Sequence, residues 1–126
     1  MIIDCVILNY NDVETTLQWV DMAREYSVLS HIILVDNCST DGSYERLQPL
    51  GSDRVVVLKS DRNKRYGYGN NVGIRYASEV HHADYILIAN PDTKISVPCI
   101  EALLDSMTAS PAAAVAAPIA LKPDGA

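Results

Sequence analysis

The stretch "ADYILIANPDTKIS", residues 83–96, runs from an apolar segment, Tyr85 to Ala89, straight into Asn90, Pro91 and Asp92. A short run that is apolar on both faces and closed by turn residues reads as a strand buried inside a sheet. Asn-Pro and Pro-Asp both favour turns, and a turn is a sufficient reason for the polar ending. Whether Asp92 does more depends on what the other strands end in.

The same apolar habit recurs in residues 2–9, in "HIILVD" (31–36) and in "RVVVLK" (54–59). Together with "DYILIA" (84–89), these predict four buried strands. Helical spacing lies between them. Val13, Leu17 and Val20 share one face behind the capping candidates Asn11 and Asp12, and Val72, Tyr76 and Val80 share another. Ser96 is placed to cap a further helix with Pro98 in its first turn and Ile100, Leu103, Leu104 and Met107 as its apolar stripe, a core-packing role. Alternating strands and helices predict an α/β fold with an open, mostly parallel, Rossmann-like sheet and helices on both faces. "SPAAAVAAPIALKPDGA" (110–126) reads as a fifth strand near 113–119 in preference to a linker.

In such sheets ligands bind beyond the carboxyl ends of the strands. Here those ends carry "LNYND" (8–12), "VDNCSTDG" (35–42), "KSDRNKRYGYGNN" (59–71) and "ANPDT" (89–93), all rich in Asn and Asp. Composition narrows what they serve. The chain has 126 residues, 48% hydrophobic and 21% charged, with a formal net charge of −6. That suits one soluble domain and argues against a general nucleic-acid surface, which needs clustered cations. Arg62, Lys64 and Arg65 are the local exception. No apolar run approaches the roughly 20 residues of a membrane span, and "MIIDCVILNYND" lacks the features of a signal peptide, so a cytoplasmic setting is expected. Cys5, Cys38 and Cys99 are odd in number and share no metal spacing, which points to reduced thiols. His81 and His82 beside Asp84 form a doublet that can bind a metal, but an exposed helix-to-strand turn explains it better, and His31 has a weaker claim.

A dinucleotide-binding domain would place a ribose-binding acid at Asp36. It would also need a glycine-rich loop after the first strand, where "NYNDVE" has none. A phosphoacceptor receiver domain needs an acid pair at that place, for which Asn11 and Asp12 are poor substitutes.

"VILNYND", "ILVDNCSTDGS", the N-x-x-Y-G-x-G-N-N-x-G run from Asn63 to Gly73, and "YILIANPDT" together resemble the nucleotide-binding half of family two glycosyltransferases. The family has the GT-A fold, and the rhamnosyltransferase-like branch, which commonly writes its metal motif Asn-Pro-Asp, is most similar. The resemblance covers residues 1–126 as a nucleotide-sugar-binding part without the acceptor-binding part. It implies a role in polysaccharide biosynthesis: a sugar passes with inversion from a nucleotide-diphosphate donor to a saccharide or lipid-linked acceptor, assisted by Mg²⁺ or Mn²⁺.

The resemblance also assigns roles. Tyr10 matches the aromatic position against the nucleotide base, followed by Asn11, and its flat face suits stacking, although a half-buried packing residue would look the same. Asp36 matches the acid accepting from the pyrimidine imide; a carboxylate accepts only, so it discriminates between bases. The alternative for Asp36 is a loop cap. Ser39, Thr40 and Asp41 are read as helix caps supporting that loop. Asn63, Gly67, Gly69, Asn70 and Asn71 match a loop passing over the donor, where small residues permit close approach. Lys64 and Arg65 depart from the family; Arg65 stands where glycine is usual and is set either against the diphosphate or into solvent. Asn90 matches the first position of the acidic motif and Asp92 its metal-binding carboxylate, with Pro91 setting the bend.

The family's catalytic base lies in its second half, and no acid here matches it, Asp124 included. The chain is therefore expected to bind donor without transferring sugar, and to self-associate through the face the second half would cover. The rival expectation is a non-catalytic nucleotide-binding or interaction module.

Overall fold

A computed structural model of the chain describes residues 1–61, 66–110, 112 and 115–117. It divides into two compact units, Met1–Lys94 and Ile95–Ala126. The first holds four strands, β1 (Ile3–Asn9), β2 (His31–Asp36), β3 (Val55–Lys59) and β4 (Tyr85–Ala89), and three helices, α1 (Val13–Ala23), α2 (Ser43–Leu47) and α3 (Tyr66–Glu79). The second holds α4 (Val97–Ala109). Among the described residues no helix is long and apolar enough to cross a membrane.

The sheet is parallel throughout, in the order β3-β2-β1-β4. All seven residues of β1 are buried, and since side chains alternate between faces, both faces of that strand must be covered. On one face Val6, Leu8, Ile33 and Val35 pack with Ala77, Val72 and Tyr76 of α3. Alternation turns Cys5, Ile7, Ile32 and Leu34, all 0% exposed, to the other face, where α1 lies on β1 and α2 on β2. Full burial of each large aliphatic stabilises by about 1.5–3 kcal/mol, so these two central strands anchor the unit.

The outer strands differ from expectation. β3 and β4 are only half buried, with Ile88 46% exposed, because each pairs on one side only within the sheet. Val80 is also outside the predicted stripe: α3 ends at Glu79 and Val80 is 55% exposed. Arg54 precedes β3 instead of joining it. Its guanidinium donates to the carbonyls of Arg24, Tyr26 and Leu29, closing the chain end that α1 leaves before β2. In the second unit, Ser96 Oγ accepts from Cys99 N at 3.3 Å and Ile100 is buried, as the capping pattern predicts. The expected strand at 113–119 falls largely outside the described residues, and 115–117 are not in a strand.

α3 lies close to the sheet at two glycines. A Cβ on Gly73 would stand 2.5 Å from Val6 Cγ1 and 3.1 Å from Val35 Cγ2, and one on Gly69 would stand 2.4 Å from Leu8 Cδ1 and 3.1 Å from Asn37 Oδ1. Four residues apart, both glycines face the sheet from one side of the helix.

At the amino edge, β1 and β2 pair Asp4 with His31. Asp4, 0% exposed, is hydrogen-bonded through Oδ1 to His31 Nδ1 at 2.7 Å and through Oδ2 to His81 Nδ1 at 2.6 Å. His82 and Asp84 behave as the turn reading expects: Asp84 Oδ2 accepts from Ile2 N at 2.7 Å, and His82 is exposed with φ 54°.

Candidate functional site

Register brings the polar strand ends together at the carboxyl edge. Asn9 pairs with Asp36, and Asp36 with Lys59, so the last residues of three strands stand side by side. β4 adds Asn90 and Asp92 next to β1.

Asp36 is 0% exposed and held by three donors. Oδ1 accepts from Asn9 Nδ2 at 2.9 Å and Ser39 Oγ at 2.7 Å, and Oδ2 accepts from Ser39 N at 2.9 Å. A carboxylate offers about four lone-pair sites, so one remains on Oδ2. Hydrogen bonds to a charged acceptor are among the stronger ones, and these fix the carboxylate in place. Asn9, to which the sequence pattern assigns no separate role, is the hub. Its Oδ1 accepts from Thr16 Oγ1 at 2.7 Å, tying α1 to the same network. The signal available in sequence was its polarity at the end of an otherwise apolar strand.

Tyr10 follows immediately and is 44% exposed, leaving a ring face available above the edge. Asn11 has φ 51°, a left-handed conformation that Asn tolerates better than most residues. It is fastened to the loop after β2: Oδ1 accepts from Thr40 N at 2.8 Å, Nδ2 donates to Thr40 Oγ1 at 3.2 Å, and its N–H donates to Ser39 Oγ at 3.0 Å. Ser39 and Thr40 thus brace the loops around Asp36 instead of capping α2. Asp41 takes the capping work. Its Oδ1 accepts from Ser43 N at 3.0 Å and from the Ser43 hydroxyl, which holds the Asp41 carboxyl below the usual range. For α1, Asp12 occupies the cap position, but its carboxylate takes the Thr15 hydroxyl at 2.8 Å instead of a backbone N–H.

The segment expected to be a loop over the donor is helical from Tyr66, so Gly67, Gly69, Asn70 and Asn71 occupy the first turns of α3. Gly67 is exposed with open space around it, while Gly69 is used for packing on Leu8 and Asn37. Asn71 is exposed. Asn70 is 5% exposed, and its Oδ1 has no hydrogen-bond partner among the described residues, a costly arrangement for a buried polar atom. Ser60 Oγ donates to Asn37 Oδ1 at 2.9 Å, linking the ends of β2 and β3. Asn63 and Arg65, with Arg62 and Lys64, lie outside the described residues.

At the end of β4, Asn90 O accepts from Thr93 N at 3.1 Å and Thr93 Oγ1 at 2.8 Å, which closes the turn and leaves Asp92 exposed on it. Asp92 belongs to no group of three or more convergent His, Cys, Asp or Glu ligands among the described residues; the group that does converge is Asp4, His31 and His81. A lone exposed carboxylate on the turn after β4 fits a hard cation that draws its remaining ligands from phosphate oxygens and water. It does not fit a closed protein cage.

Comparisons with known proteins bear on the family and the fold. The family described as Glycosyl transferase family 2 matches residues 4–125. A low-salt glycan biosynthesis hexosyltransferase of Haloferax volcanii is 33% identical over 94 residues, covering 72% of this chain and 28% of the relative. An N-acetylglucosaminyl-diphospho-decaprenol L-rhamnosyltransferase of Mycobacterium tuberculosis is 32% identical over 101 residues, covering 75% of this chain and 33% of the relative. The matched region thus spans a third or less of these relatives. Among solved structures, a mannosyltransferase from Pyrobaculum calidifontis in complex with GDP-Man and Mn²⁺ superposes with a TM-score of 0.59 at 18% identity, over 71% of this chain and 27% of that one. TarS of S. aureus superposes at 0.61 with 17% identity, over 86% and 33%. At these identities the likeness establishes the fold, the open parallel sheet of GT-A glycosyltransferases.

Proposed function

The chain belongs to glycosyl transferase family 2, and from that premise we propose that its carboxyl edge holds the nucleotide-diphosphate part of a sugar donor. The reaction served is inverting transfer of the sugar to a saccharide or lipid-linked acceptor. The observation that carries the proposal is the pairing of Asn9 with Asp36, which sets an exposed aromatic, Tyr10, one residue beyond a fixed buried acceptor. Tyr10 stacks on the base, a contribution of about 1–3 kcal/mol in other systems. Asp36 accepts the imide N–H of a pyrimidine on the free lone pair of Oδ2, which selects against a base presenting a lone pair there. Because the carboxylate is closed to solvent in this structure, the base reaches it only if the neighbouring loop gives way.

Diphosphate is harder to hold. The described edge carries Asp12, Asp36, Asp41, Asp61 and Asp92 against Lys59 and Lys94, so a doubly charged ligand needs added positive charge. Lys64 and Arg65 supply some of it in sequence. Asp92, with Asn90 beside it, holds Mg²⁺ or Mn²⁺ in this reading. The ion's contribution when bound is to neutralise the charge that builds on the diphosphate as the sugar departs. Asp92 would hold the ion from the turn after β4, and Tyr10 and Asp36 fix the nucleoside end.

Calorimetric titration of the chain tests this. UDP or dTDP should bind more tightly than ADP, Asp36→Ala should remove the preference, and Mn²⁺ should increase affinity for the diphosphate but not for the nucleoside. Asp92→Ala should cancel that increase without altering the fold. Equal affinity for ADP and UDP, or an undiminished Mn²⁺ effect in Asp92→Ala, would defeat the assignment.

A further inference from the structure

At the opposite, amino edge of the sheet, Asp4, His31 and His81 bring three ligand atoms within 4.8 Å of one another from three separate segments. Asp4 is the second residue of β1 and Asn9 the last, so at about 3.3 Å per residue this cluster lies about 16 Å from the donor edge. We propose that Asp4, His31 and His81 form a binding site for a zinc-class divalent cation, separate from the donor site, which cross-links β1, β2 and the turn after α3.

The chemistry of the set argues for such an ion. Two imidazoles and one carboxylate suit zinc and its neighbours, whereas Mg²⁺ and Ca²⁺ prefer oxygen throughout. A carboxylate as buried as Asp4, at 0% exposure, is ordinarily either paired with charge or bound to metal. Its partners here are two imidazoles, whose neutral form is the commonest metal ligand. Access is open, since the His31 and His81 side chains are 24% and 14% exposed while Asp4 forms the closed floor. Three protein ligands leave a fourth position for water.

The present contacts are those of hydrogen bonds, 2.6 and 2.7 Å, with the rings stacked at 3.7 Å and 20°. With bonds of about 2.0–2.2 Å, tetrahedral ligands stand about 3.3 Å apart, so capture of the ion lengthens the Nδ1–carboxylate contacts by roughly half an ångström. His81 lies two residues after α3, and the Tyr76 ring stands edge-on to it at 5.1 Å. The ion takes the place of the two Nδ1 protons, and each neutral imidazole then carries its proton on Nε2.

The test uses the chain stripped with a chelator and then titrated with zinc chloride by calorimetry and with cobalt(II) chloride by absorption. One saturable equivalent per chain is expected, with the intense visible bands of low-coordinate cobalt and a rise in Tm on zinc addition. His31→Gln and His81→Gln, checked for folding by circular dichroism, should each weaken zinc at least tenfold and lose the Tm rise. Asp92→Ala should bind zinc as the parent does, which keeps this site's fate independent of the donor-site reading. Absence of saturable zinc binding by the parent chain, or unchanged binding by His81→Gln, would show that the cluster is a hydrogen-bonded clamp only.

Discussion

Asn9 faces two ways, donating to Asp36 Oδ1 and accepting from Thr16 Oγ1, and all three side chains are fully buried. Asn9→Ala removes these bonds, and a longer one from Nδ2 to Ser39 Oγ at 3.4 Å, at once. A buried polar group left unsatisfied costs about 1–3 kcal/mol, so the variant should unfold at lower urea with an unchanged slope. Asn9→Asp keeps the shape but puts a second carboxylate against Asp36, and should be the less stable of the two at pH 7. If Asn9→Ala matches the parent in urea while losing nucleotide affinity, the residue serves ligand and not scaffold. Its place at a strand end was plain from sequence; its role was not, because the partner that defines it lies 27 residues further on.

At the scale of elements, α3 owes its position to what it lacks. Gly73→Ala should gain about 1 kcal/mol of helix propensity, yet its Cβ meets Val6 and Val35, β-branched side chains with little freedom to turn aside. Overpacking of that kind costs about 1–3 kcal/mol, so net destabilisation is expected. Gly67→Ala, with nothing within 4 Å, supplies the contrast and should be neutral or slightly stabilising by thermal melting. A stable Gly73→Ala would mean that α3 moves off the sheet easily. The sequence pattern reads Gly67 and Gly69 as room for a ligand. Gly69 instead makes room for the sheet, as Gly73 does, a distinction that sequence spacing cannot draw, because both uses require only the absence of a Cβ.

For the whole molecule, Cys5 reports on global opening. It lies in the central strand at 0% exposure, and burial, aided by the Asp4 charge, pushes its thiol well above the ordinary range, whereas Cys38 and Cys99 are partly exposed. Two thiols should therefore react promptly with a disulfide reagent and the third only at the rate of unfolding. A raised folded pKa means that the native state keeps a proton which the unfolded state loses. This stability is full below the unfolded thiol's range, about pH 8.5, and falls as pH rises beyond it. Prompt reaction of all three thiols in the folded chain would show that the central strand opens locally. By itself, the sequence determined the alternation of elements, the parallel sheet and the polar edge, because periodicity and turn residues are local properties written into consecutive positions. The family motifs followed for the same reason. Only the tertiary structure decided which polar residues meet: Asn9 with Asp36, Asn11 with Thr40, and Asp4 with His31 and His81 across 27 and 77 positions. Strand register and the close seating of α3 set those encounters, and both depend on how distant segments pack.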